Sequence, residues 1–207
     1  EIFYLTGESR TVVESSPHLE AFQEKGYEVL YLVDPVDEFV AQGLPEFDDK
    51  KLKSVGKGEV ELGSEEERKQ AKEELEEKKK SYSSLMESLQ KSLDEWIKEV
   101  KVSNRLTSSP VCLVGAEHDM SPHLEKLLRH SEGLGAMGGP QKRILEINPG
   151  HELLVKLQER FDKDKEDDAI ADYAHLLYGY ALLAEGSELP DPARYNRLVG
   201  ELMVRNL

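Results

Sequence analysis

The residues with the most chemical potential form a run of histidines and acids: Glu117, His118, Asp119, His123 and His130. His123 and His130 stand two turns apart on one face of the helix this stretch predicts. That spacing leaves a metal site open; exposed polar histidines on an amphipathic helix are the ordinary alternative. His151-Glu152 opens like a zinc-protease helix, but Val155 occupies the position where a second ligand must stand, so the motif fails. Gly133, Gly135 and Gly138 match G-x-G-x-x-G. A dinucleotide site needs a strand before these glycines and a helix after them. Here a helix precedes, and Pro140 with a strand comes after, so the spacing predicts a loop. Cys112 lies inside an apolar run and reads as a buried core thiol, not a nucleophile. No Ser/His/Asp arrangement and no phosphate-binding lysine loop is recognisable. The chain is expected to hold no catalytic residue, no metal and no cofactor.

The elements that carry these residues alternate in type. The chain has 207 residues, 38% hydrophobic and 33% charged, with a net charge of -15. Such acidity repels phosphates and argues against nucleic-acid binding. A single cysteine cannot form an internal disulfide, which fits a reducing compartment such as the cytosol. No apolar run is long enough for a bilayer and no secretory pattern is present, so a cytoplasmic protein without membrane contact is expected. Residues 2–5 read as a buried strand that begins without leader or methionine, as in a piece of a longer chain.

Ser9 or Ser16 is placed to cap the next helix, with Pro17 in its first turn and Gly26 as its stop. Residues 29–33 predict a strand buried on both faces, parallel to the first. Pro35 opens a helix through Ala41, and Leu52 and Val55 suggest a further strand. After Gly56, Gly58 and Gly63 comes a charged run, 65–80. Apolar positions then recur at Leu75, Tyr82, Leu85, Leu89, Leu93, Trp96 and Val100, one stripe on a long helix. Its first half must stand in solvent, as a strut or a frayed arm, supported by charge pairs of about 0.3 kcal/mol each. Strands at 100–102 and 111–114 flank a turn with Pro110. A helix to about His130, a strand at 144–147, a short helix opened by Pro149, and helices at 167–184 and 192–206 complete the chain.

Two apolar surfaces suggest association. The penultimate helix carries Ile170, Tyr173, Ala174, Leu176, Leu177, Tyr180, Ala181, Leu183 and Ala184, over more than half of its circumference. The last helix adds Tyr195, Leu198, Val199, Leu202, Met203 and Leu207. A second copy would bury the outer faces as an intermolecular four-helix bundle; alternatively both faces pack within one domain. Met120, Leu124, Leu127 and Leu128 form another stripe, suited to promiscuous binding or to an ordinary core-facing role.

Several segments, in this order, resemble heat-shock protein 90 chaperones. They are Tyr4-Leu5-Thr6-Gly7, Ser15-Ser16-Pro17, Asp37-Glu38, Glu46-Phe47-Asp48, Ser103-Asn104-Arg105-Leu106, Ser109-Pro110, Leu145-Glu146-Ile147-Asn148-Pro149 and Ala181-Leu182-Leu183-Ala184. The similarity runs over essentially the whole chain, and the segments at 103–106 and 145–149 are its most specific parts.

The resemblance implies an α+β fold: a small α/β subdomain at 1–58 ending the middle domain, a linker and long connecting helix at 59–99, and a C-terminal dimerisation domain at 100–207. That domain would end in the helical hairpin of the dimer bundle, with Ile170, Tyr173, Leu176, Leu177, Tyr180, Leu183, Tyr195, Leu198, Val199 and Leu202 at the interface. It implies further that Met120, Leu124, Leu127 and Leu128 contact non-native client proteins, with Phe39 a second contact. The family is driven by ATP with magnesium, bound in an N-terminal domain that this chain lacks, so the chain itself is expected to be no enzyme. Its partners are expected to be a second copy, clients and co-chaperones. A pure dimerisation scaffold and a monomeric α/β enzyme are the competing readings. The ending at Leu207, without the acidic tail and co-chaperone motif of eukaryotic cytosolic members, fits the bacterial type or a truncated chain.

Overall fold

The computed structural model describes residues 1–130 and 141–205. The first unit is a four-stranded sheet in the order β2-β1-β4-β3, built from β1 (Ile2–Thr6), β2 (Val29–Leu32), β3 (Glu46–Phe47) and β4 (Lys50–Ser54). β1 runs parallel to both β2 and β4, as the strand-helix-strand order requires for its first pair. Between β1 and β2, both candidate caps are used. Ser9 Oγ accepts the Val12 N–H at the start of α1 (Arg10–Glu14), and Ser16 Oγ accepts the His18 N–H at a 3-10 turn, Pro17–Leu19, leading into α2 (Glu20–Glu24). Gly26 then takes a positive φ of 70°, which ends the helical stretch.

The expectation that residues 29–33 form a strand buried on both faces is overturned. β2 is the sheet's edge, and Leu30 is 51% exposed. The apolar run meets a core on one side only, where Val29 and Tyr31 pack against Leu5, Val13 and Phe22. After it, Asp37 Oδ2 accepts the Asp34 N–H, and α3 begins at Asp37 and runs to Gly43. Val60 and Leu62, beyond the last strand, also pack into this first core.

α4 spans Glu65–Ser92 and begins in a reciprocal capping box between Ser64 and Glu67. Its first half is exposed apart from Leu75, as the charged run predicts. Its second half buries Tyr82, Leu85, Met86 and Leu89. The apolar stripe overshoots the helix: the chain turns at residues 93–96, which takes in Trp96, and Val100 lies in β5 (Ile97–Val102). β5, β6 (Val111–Val114) and β7 (Arg143–Ile147) form a second sheet in the order β5-β7-β6, so the strands expected to flank a Pro110 turn are parted by β7. β7 is parallel to β5 and antiparallel to β6.

Alternation along these strands sorts their side chains between two layers. Val111, Leu113, Leu145 and Ile147 face α4, α6 (Glu152–Lys163) and α7 (Ala169–Ala184). Cys112, Val114 and Ile144 lie on the other face with Leu106. α5 (Pro122–His130) precedes β7, and α8 (Pro192–Arg205) returns along α7. Gly179 permits that return, since a Cβ there would stand 2.5 Å from Tyr195 Cδ2. The glycine-rich loop at 133–140, with its G-x-G-x-x-G match, lies outside the described residues.

Candidate functional site

The two units are joined through Arg105. Its side chain is fully buried, with Nε 2.9 Å from Glu146 Oε2 on the Cys112 face of β7. Its remaining donors reach back to the first unit: Nη1 donates to the Val55 carbonyl at 2.5 Å and Nη2 to the Gly58 carbonyl. Ser103 Oγ donates to the same Glu146 oxygen at 2.7 Å, and Asn104 Nδ2 donates to the Val60 carbonyl at 2.6 Å. A buried guanidinium requires this density of partners, because desolvation costs several kcal/mol per ion. Asn148, two residues past Glu146, fixes the neighbouring turn through the Ser109 carbonyl and the Gly150 N–H.

A second clasp lies beside the first. The Glu20 carboxylate accepts from the successive N–H groups of Thr107, Ser108 and Ser109 at 2.7, 2.8 and 3.0 Å. Burial pushes this carboxyl up, yet the hydrogen bonds outweigh it and hold Glu20 below the usual carboxylate range. The sheets also meet through main chain, with Gly58 N–H on the Gly115 carbonyl and Gly115 N–H on the Gly56 carbonyl.

Across the seam α3 touches α5. Ser121 Oγ accepts the Leu124 N–H in the first turn of α5 and donates to buried Glu38 Oε1 at 2.6 Å, across 83 positions. Each partner has an exposed apolar neighbour in sequence: Phe39, 57% exposed, follows Glu38, and Met120, 45% exposed, precedes Ser121. Lys126 of α5 pairs with Glu8 at 2.8 Å, an exposed bridge contributing at most about 1 kcal/mol. Of the expected client contacts, Phe39 and Met120 are thus exposed. Leu124 is buried in the chain itself, and Leu127 and Leu128 are half-buried.

The hairpin of α7 and α8 divides similarly. Ile170, Leu177 and Leu198 are buried within this chain; Tyr173, Leu176, Tyr195, Val199 and Leu202 are half-buried. Tyr180 and Leu183 remain exposed, joined by Met203 and Val204.

Among the described residues the histidine run does not assemble into a cluster. Asp119 is engaged by the Ala116 N–H and Gln141, His118 is exposed, and the His130 side chain lies outside the described residues. Among the described residues no group of three or more His, Cys, Asp or Glu side chains could hold a metal ion. His151 caps α6, its Nδ1 accepting the Leu153 N–H. Cys112 is buried, and burial, reinforced by Glu146, pushes its thiol pKa up. No helix among the described residues is long and apolar enough to cross a membrane. Sequence reasoning missed the Arg105 clasp. Its signal was an arginine two residues after Ser103, in a stretch noticed only for its likeness to other proteins.

Comparison with known proteins bears on this arrangement. A family model described as "Hsp90 protein" matches residues 1–207. The chain is 49% identical over 207 residues to the Chaperone protein HtpG of Frankia casuarinae, covering 100% of this chain and 31% of that protein. Against the protein of the same name from Geobacter sulfurreducens it is 49% identical over 204 residues, covering 99% of this chain and 31% of the relative. Against that of Mycobacterium tuberculosis it is 49% identical over 210 residues, covering 100% and 32%. The chain therefore spans about a third of the length of the curated relatives it matches. A family match across residues 1–207 means that the chain belongs to the Hsp90 family.

Proposed function

We propose that the chain is a client-holding and dimerising part of an Hsp90-type molecular chaperone, comprising the end of the middle domain and the C-terminal domain. In the intact chaperone, ATP hydrolysis with magnesium belongs to another part. The observation that carries the client-holding role is the exposure of two large apolar side chains, Phe39 and Met120, on segments tied to each other by the Glu38–Ser121 bond. A solvent-facing aromatic and a solvent-facing methionine suit varied apolar segments, each buried client side chain contributing about 1.5–3 kcal/mol before ordering costs. Family membership supports the same reading. The test replaces Phe39 and Met120 with serine and measures suppression of aggregation of a denatured protein. Weakened suppression with an unchanged melting curve supports the role; undiminished suppression removes it.

Dimerisation is supported by the exposed Tyr180, Leu183, Met203 and Val204 on one helical hairpin. A second copy covering them would make the intermolecular four-helix bundle, with Tyr173, Leu176, Tyr195, Val199 and Leu202 at its margin. Sedimentation of a monomer at micromolar concentration would refute it. Burial of Leu124 favours one alternative, a pure dimerisation scaffold in which α5 is structural. Replacement of Leu127 and Leu128 by asparagine separates the two. Collapse of the fold identifies α5 as core, whereas intact stability with lost client binding identifies it as a client surface.

A further inference from the structure

The seam between the units encloses a cleft of about 380 Å³, within the range of small-molecule sites, whose wall shares Met120 with the proposed client surface. Its apolar wall includes Trp96 and Tyr178, ring centroids 6.2 Å apart, with Val12, Leu182 and Leu189. Its polar wall holds unpartnered groups. His18 is buried and its Nδ1 meets no hydrogen-bond partner, and the buried Nε2 of His123 on α5 likewise has none. Lys57 is half-buried and forms no ion pair among the described residues; Glu38 and Asp119, which act on its charge, are held by Ser121 and by Ala116 and Gln141. The other cations of the wall are occupied: Arg143 by Glu185, Lys126 by Glu8, and Lys142 by the Asp94 carbonyl. Gly56, which precedes Lys57, lies beside the imidazole: a Cβ there would stand in ordinary contact, 3.8 Å from His18 Cδ2.

We propose that this cleft binds a compact amphipathic monocarboxylate, with its apolar body against Trp96 and Tyr178 and its carboxylate on Lys57. The imidazole edges of His18 and His123 serve its remaining polar groups. A single negative charge matches Lys57, the one ammonium of the wall with neither an ion pair nor a hydrogen bond among the described residues. A polyphosphate would meet Glu95, Glu125 and Glu188 on the same walls and the chain's net charge of -15. An uncharged apolar ligand would leave Lys57 further desolvated without a partner. Because α5 contributes His123 and Lys126 to the cleft, a bound acid braces that helix against the first unit.

The test titrates the 207-residue chain with 4-phenylbutyrate and with its neutral amide. Binding is followed by equilibrium dialysis and by the emission of Trp96, the only tryptophan. The expected result is saturable binding of the acid, about tenfold weaker binding of the amide, and loss of that preference in Lys57→Met but not in Lys57→Arg. Equal affinity for acid and amide, no saturable response to either, or a preference undiminished in a folded Lys57→Met would overturn the proposal. The acid–amide comparison requires only the unmodified chain, so it decides the matter even where Lys57→Met fails to fold. The acid–amide preference reads Lys57 and not Met120, so its failure is distinguishable from failure of the client-holding test.

Discussion

Arg105 and Glu146 meet at 2.9 Å across 41 positions of sequence, the arginine with no exposed side-chain surface. Their bond and the carbonyls of Val55 and Gly58 place one cation at the point where both units touch. Arg105→Ala leaves Glu146 enclosed without its partner and is expected to cost about 3–5 kcal/mol. The double variant Arg105→Met with Glu146→Met should recover part of that loss, since an apolar pair lacks the desolvation penalty. Urea unfolding measures both, and an Arg105→Ala chain within about 1 kcal/mol of the parent would show the clasp to be incidental.

His18 gives the fold an acid-sensitive point. Burial, then the positive charges of Arg105 and Arg143, lower its pKa to about 3 from 6.5. Above pH 6.5 the imidazole is neutral in both states and favours neither. As pH falls below 6.5 the unfolded chain takes up a proton that the folded chain refuses, and stability declines until about pH 3. The slope is about 1.4 kcal/mol per pH unit from this group. His18→Phe should flatten the stability profile between pH 6 and 4; an unchanged slope would assign the acid sensitivity elsewhere.

Gly179 tests the hairpin. A methyl group there meets the Tyr195 ring at 2.5 Å and Leu189 at 3.2 Å. Gly179→Ala is expected to cost about 1–3 kcal/mol by forcing α8 away from α7. Adding Tyr195→Ala restores the space, so thermal melts of the double variant should show less loss than the two single losses combined. Strict additivity would mean that the helices do not press together at this point.

Cys112 is the simplest to check. Its buried thiol, with pKa raised, should stay unreactive toward a disulfide reagent at neutral pH in the folded chain and react fully in denaturant. Rapid labelling under native conditions would mean that the face of β6 toward the first unit opens readily.

Much of the architecture was legible because local signals agreed with long-range packing. Ser9, Ser16 and the buried run 111–114 do what their types suggest. The failures share a cause. Residues 29–33 look doubly buried because their composition is apolar, but composition does not reveal that β2 is an edge. The α4 stripe extends through Trp96 and Val100 because a strand entering the same core repeats apolar residues at spacings a helix also allows. The short β3 was missed because Glu46 and Phe47 are exposed; the signal was Asp48-Asp49, whose φ angles of 51° and 59° make a hairpin turn. The polar cleft and the Arg105 clasp were invisible because their members come from distant segments.

The placement of Arg105 has a mechanical consequence. Residues 55–60, where glycines invite the idea of a swivel, are gripped from the opposite side by a guanidinium and by Asn104. Swivelling at these glycines would have to break the hydrogen bonds that Arg105 and Asn104 make to the carbonyls of Val55, Gly58 and Val60, so the clasp opposes a pivot at the border between the units.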